Sequence, residues 1–230
     1  MTITLLFLFW LGAIIVTYTY VGYGVLLWCL VAIKRRLFKA TPPPVKNEDF
    51  PEVTLVITAF NEEGVVEEKM RNCQALNYPA NKLTICWITD GSNDSTNERL
   101  AAYPDAKVLF QPLRQGKTAA INRGMAYINT PIVIYTDANT LLNAEAITAI
   151  IQRFEDPKVG CVAGEKRVRQ QKTGDATAGE GLYWKYESFL KTLDDELNSA
   201  VGAAGELFAI RRELFETMPP IVATSALPGA

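Results

Sequence analysis

The chain has 230 residues, a formal net charge of −2 and no histidine. That length holds about one domain of 150–200 residues plus an accessory segment. The missing histidine excludes Ser-His-Asp and Cys-His catalysis and every histidine metal ligand, so any acid-base chemistry falls to carboxylates, Lys, Tyr or Cys. Near charge balance, without a basic stripe carrying interleaved aromatics, argues against nucleic acid as a partner.

Residues 1–33 carry no charged side chain, and 5–33 are almost wholly apolar or aromatic. The run exceeds the roughly 20 residues that cross a bilayer and is too long for a signal-peptide core. Lys34, Arg35, Arg36 and Lys39 follow it, so residues 1–39 read as a single-pass anchor in the cell membrane with the downstream chain cytoplasmic. Gly12, Gly22 and Gly24 read as lipid-facing tolerance rather than as a helix contact face. Cysteines 29, 73, 86 and 161 form no CxxC pair and read as reduced thiols. Residues 40–52, with Pro42, Pro43, Pro44 and Pro51, read as a semi-rigid spacer.

From Val53 strands and helices alternate. Strands are expected at 53–58, 83–89, 106–110, 132–136 and 159–163. Helices are expected at 62–76, from a capping box at Ser95–Glu98, at 117–128, and at 144–154 behind an Asn143 cap. Such alternation implies an α/β fold with a mainly parallel sheet covered on both faces. Residues 179–193 form an aromatic-rich helix that either lines a substrate cleft or packs on the sheet edge, and 206–210 form a last candidate strand. The tail 219–230 lacks periodicity and reads as disordered.

In a parallel sheet, ligands gather at the carboxyl ends of the strands. Strand one ends in Thr58-Ala59-Phe60-Asn61-Glu62-Glu63, where small residues admit a planar ligand and the acids suit ribose hydroxyls, although acids at a helix start are also favoured by its dipole. Asp90 lies at the end of the second strand, placed to accept the imide or amino hydrogen of a base, whereas Asp94 or Ser95 fits a helix cap. Arg114-Gln115-Gly116-Lys117 offers cations and free backbone amides at a helix amino terminus, a setting for phosphate, without the two glycines of a Walker loop. Asp137 and Asn139, two apart at the fourth strand end, can turn oxygens toward one divalent cation.

Together these four segments, including Gly116-Lys117-Thr118-Ala119-Ala120-Ile121-Asn122 and Asp137-Ala138-Asn139, resemble in order and spacing the family 2 glycosyltransferases of GT-A fold over residues 53–212. The resemblance implies inverting transfer from a nucleotide diphosphate sugar, commonly uridine-linked, with Mg2+ or Mn2+. The acceptor would be a glycan or a lipid-linked sugar in envelope or extracellular polysaccharide synthesis. Matched by position, Ala59 and Glu62 would touch the nucleoside, Asp90 the base, Lys117 the nucleoside or phosphates, and Asp137 the ribose and the metal-bound diphosphate. Gly205, within 202–208, would shape the acceptor side, and the domain would run from 53 to 218.

Relatives place an acidic pair holding the catalytic base after the acceptor segment, and membrane-bound polymerising relatives add a Gln-x-x-Arg-Trp motif. After Arg212 only Glu213 and Glu216 remain, so no base is assigned and the sequence reads as the donor-binding half of an enzyme. An inactive module that retains nucleotide-sugar binding is the rival expectation. A sugar nucleotidyltransferase ranks below both, since 58–63 holds no glycine.

Overall fold

The computed structural model describes residues 2–38, 50–165, 176–197 and 206–219. The expected spacer and tail therefore lie almost wholly outside the described residues, as does Gly205. The chain divides into two compact units, residues 1–44 with 167–202 and residues 45–166 with 203–230.

In the first unit, α1 (Thr2–Thr17) runs through a π-helical turn (Tyr18–Gly22) into α2 (Tyr23–Leu37). The segment Ile3–Leu37 is one helix long and apolar enough to cross a membrane. At 1.5 Å per residue its 35 residues extend about 52 Å, against a hydrocarbon core of about 30 Å.

The aromatic-rich segment forms α7 (Ala176–Leu197), and its Leu190, Leu193 and Leu197 pack on α2. Leu27 and Val31 are buried with Leu193. A Cβ on Gly24 would stand 2.9 Å from Tyr186 Oη and 3.2 Å from Leu190 Cδ2, so this glycine does mark a helix contact. Lys34 Nζ donates to the carbonyls of Glu196 (2.7 Å) and Leu197 (2.8 Å) at the carboxyl end of α7, where a cation meets unsatisfied carbonyls and the helix dipole. Arg35 makes two hydrogen bonds to the Glu196 carboxylate.

In the second unit, six strands form one sheet: β1 (Val53–Ala59), β2 (Leu83–Asp90), β3 (Lys107–Gln111), β4 (Ile132–Asp137), β5 (Cys161–Ala163) and β6 (Leu207–Arg211), in the order β3-β2-β1-β4-β6-β5. The first four are mutually parallel, and β6 is antiparallel to both β4 and β5. The strand period of two sorts the core. Leu55, Ile57, Trp87 and Ile134 face α3 (Val66–Gln74) and α6 (Ala146–Arg153) through Val66, Met70, Ile147 and Ile150. Val56, Ile88, Val133 and Tyr135 face α5 (Lys117–Met125) through Ala120, Ile121 and Met125. Both faces of the inner strands are covered, which explains their unbroken apolar runs.

Two helix starts differ from expectation. α4 (Thr96–Leu100) follows Ser95, but the Ser95 side chain makes no capping bond; Asp94 Oδ1 accepts the Thr96 N–H at 3.0 Å. α6 likewise begins at Ala146 behind Glu145, and only the backbone carbonyl of Asn143 accepts the Ala146 N–H.

Arg211 and Arg212 are structural. The guanidinium of Arg211 donates to the carbonyls of Val159, Phe154 and Asp156, and that of Arg212 to Ile128. Past β6 a single 3-10 turn (Arg212–Leu214) carries Glu213 to an exposed position, and Glu216 is exposed as well.

Candidate active site

The strand ends lie level: Thr58 pairs with Asp137, Ala59 with Thr89, and Asp90 with Gln111. The chain leaves β1 toward β2 and β3 and returns on the other side as β4, which makes the gap between β1 and β4 the topological switch point. Asp90 and Asp137 therefore flank β1 at its carboxyl end, separated by two strand spacings, about 10 Å.

Asp90 is 5% exposed. Its Oδ2 accepts the backbone N–H of Gln115 at 2.8 Å and of Gly116 at 2.7 Å, and its Oδ1 accepts from Arg123 Nη1 at 3.3 Å. The amides expected to be free for phosphate at the start of α5 are thus already joined to a carboxylate. Arg123 Nη2 reaches the Thr89 carbonyl at 3.4 Å, and its buried Nε has no hydrogen-bond partner among the described residues.

Gly91 has φ +75°, and a Cβ there would lie 2.6 Å from the backbone nitrogen of Arg114, so the 112–116 loop crosses directly over it. The Arg114 guanidinium stacks on Phe60, 3.8 Å from the ring centre. Ala59, just before Phe60, is buried.

Lys117, the first residue of α5, places Nζ 2.6 Å from Asp137 Oδ1, with both side chains partly exposed. Beyond Asp137 the chain turns: the Thr140 N–H donates to the Asp137 carbonyl, and Asn139 is exposed. Glu62 is half-buried; burial first, then the Asp137 and Asp94 charges, raise its carboxyl above the usual range. Ala59, Glu62, Asp90, Lys117, Asp137 and Asn139 all belong to this one end of the sheet, carried by β1, β2, β4, the turns after them and the start of α5.

Among the described residues no group of three or more His, Cys, Asp or Glu side chains could hold a metal ion. The donor chemistry nevertheless fits a hard divalent cation. Asp137 and Asn139 offer two oxygen donors, and Mg2+-like ions are commonly held by one or two carboxylates, with substrate phosphates and water completing the shell.

Sequence reasoning missed the contacts that hold this site. Asn61, at φ +54°, and Asn93 bond reciprocally: Asn61 Nδ2 donates to Asn93 Oδ1 at 2.8 Å, and the Asn93 N–H donates to Asn61 Oδ1 at 3.0 Å. The Glu63 N–H donates to Asp94 and the Ser95 N–H returns to Glu63, so the turns after β1 and β2 form one clasp. On α3, Lys69 is 0% exposed; its Nζ donates to Thr136 Oγ1 at 3.1 Å and to the Thr140 carbonyl. Burial lowers its pKa to about 8. Three residues on, Asn72 Nδ2 donates to the Leu142 carbonyl at 2.7 Å, and the Leu142 N–H donates to Asn72 Oδ1 at 2.8 Å. One signal was available: Lys69 falls in helical phase with Val66, Met70 and Cys73, where an apolar residue belongs.

Residues 54–218 match the family model for Glycosyl transferase family 2. Poly-beta-1,6-N-acetyl-D-glucosamine synthase of Staphylococcus aureus is 29% identical over 133 residues, 56% of this chain and 32% of the relative. Beta-monoglucosyldiacylglycerol synthase of Synechocystis is 26% identical over 186 residues, 75% of this chain and 38% of the relative. The chain thus spans roughly a third of the length of these curated relatives. Among solved structures, a mannosyltransferase from Pyrobaculum calidifontis in complex with GDP-Man and Mn2+ superposes with a TM-score of 0.66 at 26% identity, covering 87% of this chain and 55% of that one. A six-stranded sheet with its acids at the switch point, and a family match across nearly all of it, make this chain a member of glycosyl transferase family 2 with a GT-A-type fold.

Proposed function

We propose that the chain binds a nucleoside diphosphate sugar, uridine-linked, with a divalent cation, and serves inverting transfer of its sugar to a glycan or lipid-linked acceptor at a membrane surface. The observation that carries this reading is the Lys117–Asp137 pair at the switch point, a cation from a helix start beside a carboxylate at a strand end. Uridine is the family's common base. GDP is the competing outcome, since the mannosyltransferase neighbour is a GDP-Man complex.

In this reading, the small side chain of Ala59 admits the nucleoside and Glu62 accepts a ribose hydroxyl. Asp90 lies at the base end, where Oδ1 keeps accepting capacity beside Arg123. Asp137 with Asn139 would hold the cation, which supplies charge neutralisation on the leaving diphosphate. Lys117 would neutralise charge on the phosphates, a contribution of the preorganised electrostatic kind, and Asp137, its partner here, would then be open to the cation. Gly205, outside the described residues, would shape the acceptor side by the family resemblance alone. The helix Ile3–Leu37 would anchor the protein in the membrane, with the sheet unit on the cytoplasmic side, where Lys34, Arg35 and Arg36 emerge.

A second reading, donor binding without turnover, is favoured by the carboxylates themselves: Asp90 and Asp94 are joined to backbone amides, and Glu213 and Glu216 are exposed beyond β6. Calorimetry of the full chain in detergent with UDP and Mn2+ tests the binding common to both readings, and Asp137→Ala should abolish the heat. Hydrolysis or transfer of a UDP-sugar by this chain would then rule out the second reading.

A further inference from the structure

We propose that Lys69 is a positioning residue for the diphosphate and its cation, a buried ammonium that clamps both ends of the turn bearing Asp137 and Asn139. This rests on the donor-site reading above and goes beyond it to a residue that touches neither donor nor metal.

Three observations carry the inference. First, Lys69 has no exposed surface, although taking an ammonium out of water is costly unless it is well compensated. A methionine would fill the same volume on α3 without that cost. Second, its two partners are the residue immediately before Asp137 and the residue immediately after Asn139: the Thr136 hydroxyl, 3.1 Å away, and the Thr140 carbonyl. One ammonium therefore fixes both stems of a four-residue turn, which the Thr140 N–H to Asp137 carbonyl bond closes from within. Third, the next position on the same face of α3 repeats the grip. Asn72 satisfies both the N–H and the C=O of Leu142, so α3 holds the chain after β4 at two points.

The physical consequence is orientation. Asp137 and Asn139 can share one cation only if the backbone between them holds a single conformation. Groups that orient ligands from behind typically change metal affinity by 10- to 100-fold when removed.

The test is Lys69→Met in the full chain, with Thr136→Val as a milder variant that removes one of the two acceptors. Hydrogen exchange of the unliganded protein should show faster exchange across residues 138–142, with β1 unchanged. Mn2+ uptake in the presence of UDP, followed by the loss of the free-ion electron paramagnetic resonance signal, should weaken about 10- to 100-fold for Lys69→Met. For Thr136→Val the loss should be about fivefold, as for one hydrogen bond. Faster exchange with unchanged Mn2+ affinity would make Lys69 merely structural and overturn the proposal, as would no change in either. A wild-type chain that takes up no Mn2+ with UDP, while still folded, overturns the donor-site reading itself and is distinguishable from both.

Discussion

Replacing Asp90 probes the join between the carboxyl end of β2 and the 112–116 loop. The carboxylate is 5% exposed and accepts two backbone N–H bonds plus one from Arg123. Asp90→Ala would leave the Gln115 and Gly116 N–H groups without an acceptor, at about 1–3 kcal/mol for each one that stays buried. It would also strip Arg123, whose side chain is 22% exposed, of its only ion-pair partner among the described residues. Water reaching the loosened loop recovers part of this, so a net loss of about 3–5 kcal/mol is expected. Asp90→Asn keeps one accepting oxygen for Gln115 and Gly116 but turns its NH2 toward Arg123, losing that bond and the ion pair, about 2–3 kcal/mol. Urea denaturation followed by the fluorescence of Trp87, buried on the same strand, reports the change. An Asp90→Ala variant within 0.5 kcal/mol of the parent (about the size of a surface substitution) would refute the account of Asp90 as the anchor of this loop. Loss of UDP binding in Asp90→Asn, where the loop is largely kept, would support the proposed contact of Asp90 with the base.

Three further outcomes follow from the geometry. Lys117→Met should leave stability within about 1 kcal/mol, since its ion pair is partly exposed, yet weaken UDP binding about 10- to 100-fold in calorimetry, the loss of a charged hydrogen bond. Glu62→Gln should raise the melting temperature at pH 7, because a carboxyl whose folded pKa is raised by burial and by Asp137 destabilises the fold only while ionised. The gain should vanish below about pH 4, where both states are protonated, and a gain that persists there would sink this electrostatic account. Gly24→Leu should speed hydrogen exchange along 185–197 by forcing α7 from α2, while Gly12→Leu, with open space around it, should not.

Much of the site was legible because its residues sit where strand periodicity ends. The runs into Asp90 and Asp137 are apolar, since both faces of the inner strands are covered, so the first polar residue marks the strand end. What remained hidden depends on distance in space rather than spacing in sequence. Nothing in Arg114-Gln115-Gly116-Lys117 announces that its amides meet Asp90, 25 residues away. Nothing around Asn61 foretells a reciprocal bond to Asn93.

Of the two caps expected before α4, Asp94 forms and Ser95 does not, because the Asp94 carboxylate takes the Thr96 N–H with a charge. The aromatic segment's packing on α2 was not foreseen. Its partner is the apolar helix at the other end of the sequence, whose close-approach residue, Gly24, looks in sequence like any glycine of a membrane helix. Lys69 alone carried a readable sign, a charge in core phase, whose meaning emerged only from the turn it holds.

The central claim is that the two strand-end acids belong to one donor site, and calorimetry of the full chain with UDP and Mn2+ tests it most directly. The account predicts saturable binding between about 1 µM and 1 mM, the usual range for metabolite sites, lost on removal of Mn2+ and in Asp137→Ala. A folded chain that shows no heat with UDP or with GDP in the presence of Mn2+ would contradict it.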